Sequence, residues 1–413
     1  MTQSKNYKWI VVGLLWVVAL LNYLDRQMLS TLKPVMQIDI AELQTAENFG
    51  RLMAIFLWIY GFMSPIAGLI ADKTNKKWLI VISLFIWSGV TLIMGYAQTF
   101  DQLYWLRAIM GVSEAFYIPA GLSLIADFHT SKTRSLAVGV HLSGLYVGQA
   151  LGGFGATIAQ QFSWNGTFLF FGLVGMIYSF VLVFFLDVPK KEVITPTSSQ
   201  SARASVPIFQ VFSILLSNVS FWIILLIFTV PSLPGWGVKN WLPTLYSESL
   251  GIEMAKAGPI ATITNAMSSL VGVIIGGIIS DKWLEKNMRG RVFVSALGLG
   301  LTIPALFLIA YGSSLFHIVL ATFCFGFGFG MFDTNNMPIL CQFVDSKYRS
   351  TAYGTMNLMG ISAGAIVTTF LGKSVDDGNL KQDFAMMALV VLVALIIQLL
   401  FLRPKVKNYS DAA

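Results

Sequence analysis

Charge is what this chain has least of. Only 11% of its 413 residues are Asp, Glu, Lys or Arg, while 56% are hydrophobic and the mean hydropathy is +0.72. Soluble domains carry about 25% charged residues, so a soluble enzyme does not fit. Cysteine is scarce too: Cys324 and Cys341 lie in apolar sequence without C-x-x-C spacing, which argues against a disulfide framework or a zinc site. Both read as ordinary core residues. Of the three histidines, His141 and His317 are isolated in or near apolar runs, better suited to hydrogen-bonded structural roles than to a proton relay, and His129 falls in a loop. No phosphate-binding G-x-x-x-x-G-K-[ST] loop exists, so ATP-driven chemistry is not indicated. Gly326-Phe-Gly-Phe-Gly330 resembles part of a nucleotide fingerprint but follows no strand, and reads as helix packing.

What the chain has in abundance is long apolar runs. Trp9–Leu24, Trp78–Tyr96 and Phe384–Leu402 each approach the ~20 residues that a helix needs to cross a bilayer. Polar breaks and Gly/Pro punctuation place spans at about 9–32, 49–71, 78–97, 103–126, 134–161, 166–187, 214–247, 257–281, 291–311, 315–342, 349–372 and 383–402. The predicted fold is therefore an all-α integral membrane protein of twelve transmembrane helices. The long polar stretch at 188–213 is rich in Ser, Pro and Lys and reads as a linker between two six-helix bundles, 1–187 and 214–413.

The net charge of +7 would mark a nucleic-acid surface only if the basic residues gathered on one face. They do not. On this span map 19 of the 27 Lys and Arg fall on one side, four fall on the other (Lys33, Lys256, Lys373, Lys381) and four lie within spans (Arg26, Arg51, Arg107, Lys239). The positive-inside rule then places both termini and the linker in the cytoplasm. The first apolar run lacks a small-residue cleavage site and is expected to be a retained helix. The expected partner is a lipid bilayer, here the plasma membrane of a bacterium (its inner membrane), and not a nucleic acid.

The halves echo each other. Gly68-Leu-Ile-Ala-Asp72-Lys73 after the second span recurs as Gly277-Ile-Ile-Ser-Asp281-Lys282 after the eighth, 209 residues later. Arg134-Ser-Leu-Ala-Val-Gly139 opens the fifth span and Arg349-Ser-Thr-Ala-Tyr-Gly354 the eleventh, an offset of 215. Parallel repeats of this kind build secondary transporters with a central substrate path. The first loop, through Gly68, Asp72, Lys73, Lys76 and Lys77, resembles the signature of the major facilitator superfamily. Asn75 stands where that family usually has Gly, a mild departure since Asn tolerates left-handed backbone. The resemblance implies that Gly68, Asp72, Lys73, Lys77 and Arg134, with Gly277, Asp281, Lys282 and Arg349 in the second half, form a conformational latch; the alternative is a solvated charge cluster.

An ionisable residue inside a span costs roughly 2.5–3.5 kcal/mol on insertion scales and usually faces a cavity. Asp25 and Arg26 lie adjacent on helix 1, and Arg107 and Glu114 share one face of helix 4, seven residues apart. Lys239, flanked by aromatics, sits among prolines and glycines that are expected to break helix 7, and Asp333 precedes Asn336 on helix 10. Cations in a cavity attract an anion, and a neighbouring carboxylate can carry a proton. Structural ion pairs are the other reading of the first two sets, snorkelling that of Lys239, and hydrogen bonding to a neighbouring helix that of Asp333.

The strings Leu21-Asn-Tyr-Leu-Asp-Arg-Gln-Met-Leu-Ser30, Phe49-Gly50 with Tyr60-Gly61, Arg107-x-x-x-Gly111-x-x-Glu114-Ala115 and Trp241-Leu-Pro-Thr-Leu-Tyr246 are similar to the anion:cation symporter family, which includes hexuronate and galactonate transporters and sialin. That resemblance implies substrate contacts at Arg26, Tyr60 and Arg107, with Asp25 and Glu114 protonatable; helix 7 aromatics such as Trp241 and Asn357 on helix 11 would complete the site. Gln149, in Gly144-x-x-x-Gly148-Gln149, replaces the Pro of drug antiporters and is a candidate partner for substrate hydroxyls or for another helix. Lys239 and Asp333 lie outside the familiar pattern; the former is a further candidate substrate contact and the latter a further candidate proton carrier. The expected activity is proton-coupled import of a sugar acid by a functional monomer, with protons as the coupling ion and no enzymatic activity, metal or organic cofactor. Spinster-like lysolipid transporters share the helix 1 and helix 4 motifs and are the alternative, followed by a membrane sensor that binds without transport.

Overall fold

The computed structural model describes residues 6–188, 208–345 and 348–404. Most of the expected linker, and the side chains of the latch residues Asp72 and Lys73, lie outside the described residues. The helices are α1 (Tyr7–Asp39), α2 (Ala46–Lys73), α3 (Lys76–Met94), α4 (Phe100–Ala115), α5 (Tyr117–Phe128), α6 (Ser131–Gly152) and α7 (Gly155–Phe185), then α8 (Ile208–Leu216), α9 (Val219–Leu250), α10 (Met254–Leu284), α11 (Gly290–Tyr311), α12 (Leu315–Asp333), α13 (Asn336–Phe343), α14 (Arg349–Asp376) and α15 (Leu380–Phe401). Among the described residues, eleven helical stretches are long and apolar enough to cross a membrane, with α4–α5 and α12–α13 each forming one of them. The 22-residue α6 carries His141, Gln149 and four glycines and is less apolar than the rest. Counting it gives the expected twelve.

Small residues decide how these helices meet. A Cβ on Gly144, Gly148 or Gly152 would strike the carbonyls of Trp16, Leu20 and Leu24, so the fourfold glycine spacing of α6 lets it lie directly on the backbone of α1. Gly326, Gly328 and Gly330 do the same for α12, against Asn265, Gly298 and Ser269. The packing reading of that glycine run holds.

Two helix boundaries differ from the expected spans. The fourth crossing is interrupted at Phe116 and the tenth at Thr334–Asn335, so Glu114 and Asp333 each lie at the end of a helix beside a break. The seventh crossing, by contrast, is not broken: α9 runs unbroken through Pro231, Pro234 and Pro243. Each proline removes one backbone hydrogen bond and frees one carbonyl four residues earlier. In α9 these losses do not end the helix, and the carbonyl freed by Pro243, that of Lys239, is taken by Gln27.

The repeat extends to the loops. Arg134 donates to the carbonyls of His129 (3.3 Å) and Ala126 (3.3 Å), and Arg349 donates to those of Val344 (3.2 Å) and Cys341 (3.0 Å). All three positions shift by the same 215 residues. Nearby, Lys76 pairs with Asp127, Lys77 with Asp187 at 3.4 Å and Arg291 with Asp281 at 3.1 Å, each within its own half, while Lys282 is exposed. Asn75 does not take the left-handed backbone its place in the signature allows. At φ −70°, ψ 111° it caps α3, accepting from the amides of Lys77 and Trp78.

On the face away from the termini the halves are joined. Gln27 donates to the Lys239 carbonyl (2.7 Å), Thr157 to the Ala255 carbonyl (2.7 Å) and Thr262 to the Ala150 carbonyl (3.0 Å). Asp376 at the end of α14 accepts from the amides of Ala46 (2.7 Å) and Glu47 (2.8 Å), capping α2 across the boundary. Among the described residues, every hydrogen bond between the halves lies on this far side.

Candidate functional site

The helical repeat sorts the polar residues of α1 before any tertiary contact is made. Asn22 and Arg26 are four residues apart and share a face, whereas Asp25 is turned about 100° from Arg26. On α2, Phe56 and Tyr60 are likewise four apart, their rings stacked at 5.7 Å. On α4, Arg107 and Glu114 stand two turns apart on the side facing both.

Packing these helices together produces a pairing that differs from the adjacent ones on the chain. Arg26 Nε donates to Glu114 Oε2 at 2.6 Å, and Asn22 Nδ2 donates to the same oxygen at 2.9 Å. Asp25 does not pair with Arg26. Its carboxylate points to the Thr91 hydroxyl on α3, 3.5 Å away. Arg107 forms no ion pair with Glu114; its Nη1 lies 3.1 Å from Met110 Sδ and its guanidinium 4.6 Å from the Phe56 ring centre. The Arg26 guanidinium is boxed by Tyr23 (5.0 Å), Phe56 (4.8 Å) and Tyr60 (4.4 Å). Aromatic faces stabilise a desolvated cation while leaving its in-plane donors free.

Asn22, Asp25, Arg107 and Glu114 are all buried, the last with no exposed surface. Several of their polar atoms are enclosed without a protein partner among the described residues: Asn22 Oδ1, Asp25 Oδ1, Arg26 Nη2, Arg107 Nε and Glu114 Oε1. Buried polar atoms are almost always satisfied. These five open valences, on two guanidinium groups, two carboxyl groups and one amide, are points where an anion, a proton or water would complete the set.

The second half contributes a sparser pole. Lys239 is half-buried on α9, its ammonium 4.9 Å from the Trp236 ring centre. Asp333 is exposed at the end of α12 and accepts from Asn336 Nδ2 at 3.2 Å. Among the described residues no ion pair joins the two.

The remaining sequence candidates divide. Tyr60 joins the cluster; Gln149 is buried on α6 and Asn357 half-buried on α14. Trp241 is turned elsewhere: fully buried, it donates to the Thr368 carbonyl at 2.9 Å and packs edge-on to Phe49. His141 is enclosed edge-on to Tyr117, outside the cluster. Sequence reasoning missed Asn22, Tyr23, Phe56 and Thr91. Asn22 and Phe56 carried a readable signal, since each stands one turn before a residue already singled out.

The chain is 23% identical to the probable galactarate/D-glucarate transporter GarP of Escherichia coli over 90% of this chain and 88% of that one. It is 24% identical to the galacturonate transporter of Dickeya chrysanthemi, over 72% and 90%. Among solved structures, a bacterial homologue of the human lysosomal transporter Spinster, in an inward-facing and unoccupied conformation, superposes with a TM-score of 0.81 at 18% identity, covering 98% of this chain and 100% of that one. The profile that matches most of the sequence, residues 15–369, is a single one, and by it the chain belongs to the Major Facilitator Superfamily.

Proposed function

We propose that the protein imports a sugar acid together with protons, by alternating access, as a monomer in a bacterial inner membrane with both termini cytoplasmic. The observation that carries this reading is the 2.6 Å pair of Arg26 and Glu114 inside an aromatic box, with Arg107 and Asp25 enclosed beside it. The sugar-acid transporters among its relatives support the substrate class.

The pair supplies a means of coupling. A carboxylate that holds a guanidinium competes with a substrate carboxylate for the same donors. Protonation of Glu114 removes the charge that binds Arg26, and the bidentate fork then takes the substrate's carboxylate. Loss of the proton on the cytoplasmic side restores the pair and expels the anion. Asp25, held only by Thr91, is the second proton carrier, since an enclosed carboxylate without a cation is costly unless neutralised. Tyr60, Gln149 and Asn357 would meet the hydroxyl groups of the sugar acid. Lys76, Lys77, Arg134 and Arg349 brace the cytoplasmic ends within each half, which leaves the far face to be held shut by Gln27, Thr157, Thr262 and Asp376. A lysolipid carrier shares the helix 1 and helix 4 motifs, but an acyl chain needs no second pole of charge.

Counterflow of labelled D-galacturonate and D-glucarate in proteoliposomes tests the reading. Uptake that rises when the lumen is made alkaline supports symport. Exchange of lysophospholipid without either sugar acid would overturn it, as would saturable binding with no flux.

A further inference from the structure

Lys239 has no place in the coupling cycle just described. It is a half-buried ammonium whose closest favourable contact is the face of Trp236, and among the described residues no carboxylate lies within ion-pair distance of it. Asp333, the acid of opposite sign on its own half, is engaged with Asn336 instead. The contrast with Arg26 is direct. In the first half Arg26 is occupied by Glu114 while Arg107 lies over Phe56 without an acid; in the second half Lys239 is likewise without one among the described residues.

Two contacts keep Lys239 beside the first pole. Its own carbonyl is fixed to Gln27, the residue after Arg26, at 2.7 Å, which pins this turn of α9 against α1. Trp236, one turn earlier, has its ring centre 4.9 Å from the ammonium. A guanidinium on α1 and an ammonium on α9 therefore stand on helix turns that touch across the two halves.

We infer that Lys239 is a second anion contact that receives the distal carboxylate of a dicarboxylic sugar acid, and that this chain therefore selects aldarates over aldonates. The inference rests on the sugar-acid reading above and adds the second charge. A monocarboxylate satisfies Arg26 and leaves Lys239 unpaired, whereas a six-carbon dicarboxylate spans both. Because one end is held by each half, such a substrate also ties the halves together.

D-Glucarate and D-gluconate make the test clean, since they differ only in whether carbon 6 is a carboxylate or a hydroxymethyl group. Uptake of each is measured in proteoliposomes containing the wild type, Lys239→Gln and Lys239→Arg, with thermal unfolding of each purified variant as the folding control. The wild type is expected to show a KM for glucarate at least about tenfold below that for gluconate. Lys239→Gln is expected to raise the glucarate KM to the gluconate value while leaving gluconate unchanged, and Lys239→Arg to keep the preference. Equal KM values in the wild type, or a variant that loses both substrates in the same proportion, would sink the inference while leaving the sugar-acid reading intact. Failure of the wild type to move either compound would remove both.

Discussion

Pro243 has no N–H to give the carbonyl of Lys239, and Gln27 of the other half supplies the missing donor at 2.7 Å. Pro259 stands in the same relation to the carbonyl of Ala255, which receives the Thr157 hydroxyl, also at 2.7 Å. In both places a proline inside a crossing helix creates an acceptor and the opposite half fills it. A carbonyl without a partner is costly away from water, so these contacts join the halves on the far face and, under the alternating access proposed above, are exchanged for hydration when that face opens.

Gln27→Leu is therefore expected to favour opening of the far face. One hydrogen bond is worth on the order of 1 kcal/mol net, a shift of about fivefold in the ratio of closed to open molecules. Pro243→Ala returns an N–H that competes for the same carbonyl and is expected to act in the same direction, with less than additive effect in the double variant. Spin-label distances between the far ends of α2 and α14 would measure the shift. An unchanged distribution in both variants would show that the far face is held by packing alone.

Asp376 is expected to contribute a further part of that closure. Its carboxylate accepts two amides at the start of α2, where the helix dipole also favours a negative charge, a combination worth about 0.5–1 kcal/mol at a half-exposed helix end. Asp376→Asn keeps the shape and loses the charge. Far-face cysteine accessibility should rise a few-fold, and raised salt should narrow the difference between the variant and the wild type.

Removing one member of the Arg26 pair should destabilise the protein more than removing both. Arg26→Ala leaves Glu114 enclosed without its cation, a loss of about 3–5 kcal/mol by comparison with other buried pairs. In thermal unfolding followed by tryptophan fluorescence, Arg26→Ala is expected to melt well below the wild type and Arg26→Ala/Glu114→Leu to recover much of the difference. A double variant less stable than Arg26→Ala would mean that Glu114 is held chiefly by Asn22.

Glu114→Gln should separate binding from coupling. The amide is nearly isosteric and cannot release a proton, so Arg26 remains available to a substrate anion. Counterflow is expected to persist within a few-fold of the wild type, while uptake driven by a pH gradient falls to the level of an ungradiented control. If gradient-driven uptake survives, the proton travels by Asp25, and Asp25→Asn should then abolish it.

How legible the site was depended on whether a residue acts along its own helix or across to another. Arg26, Arg107, Asp25 and Glu114 stood out in the sequence because charge is rare in spans, and Asn22 and Phe56 were within reach by their one-turn spacing. Which acid meets which base was not readable. Asp25 is Arg26's chain neighbour, yet the rotation of one helical residue sends it to Thr91 on α3, and Glu114 arrives from α4 to take its place. The same holds for Trp241, an aromatic in a family-like string whose indole is used to bind the Thr368 carbonyl.

The sequence by itself determined that this is a helical membrane protein of two repeated halves, because apolar run length and the distribution of lysine and arginine are properties of the chain read one residue at a time. It also marked the few charges that the membrane would not tolerate idly. Tertiary structure alone decided that two crossings are interrupted beside Glu114 and Asp333, that α9 continues through its prolines, and that Lys239 rests on the Trp236 ring while Arg26 pairs with Glu114. Those outcomes depend on which helix faces supply donors to freed carbonyls and which carboxylates reach which cations, and such distances arise only when helices far apart in the chain are packed side by side.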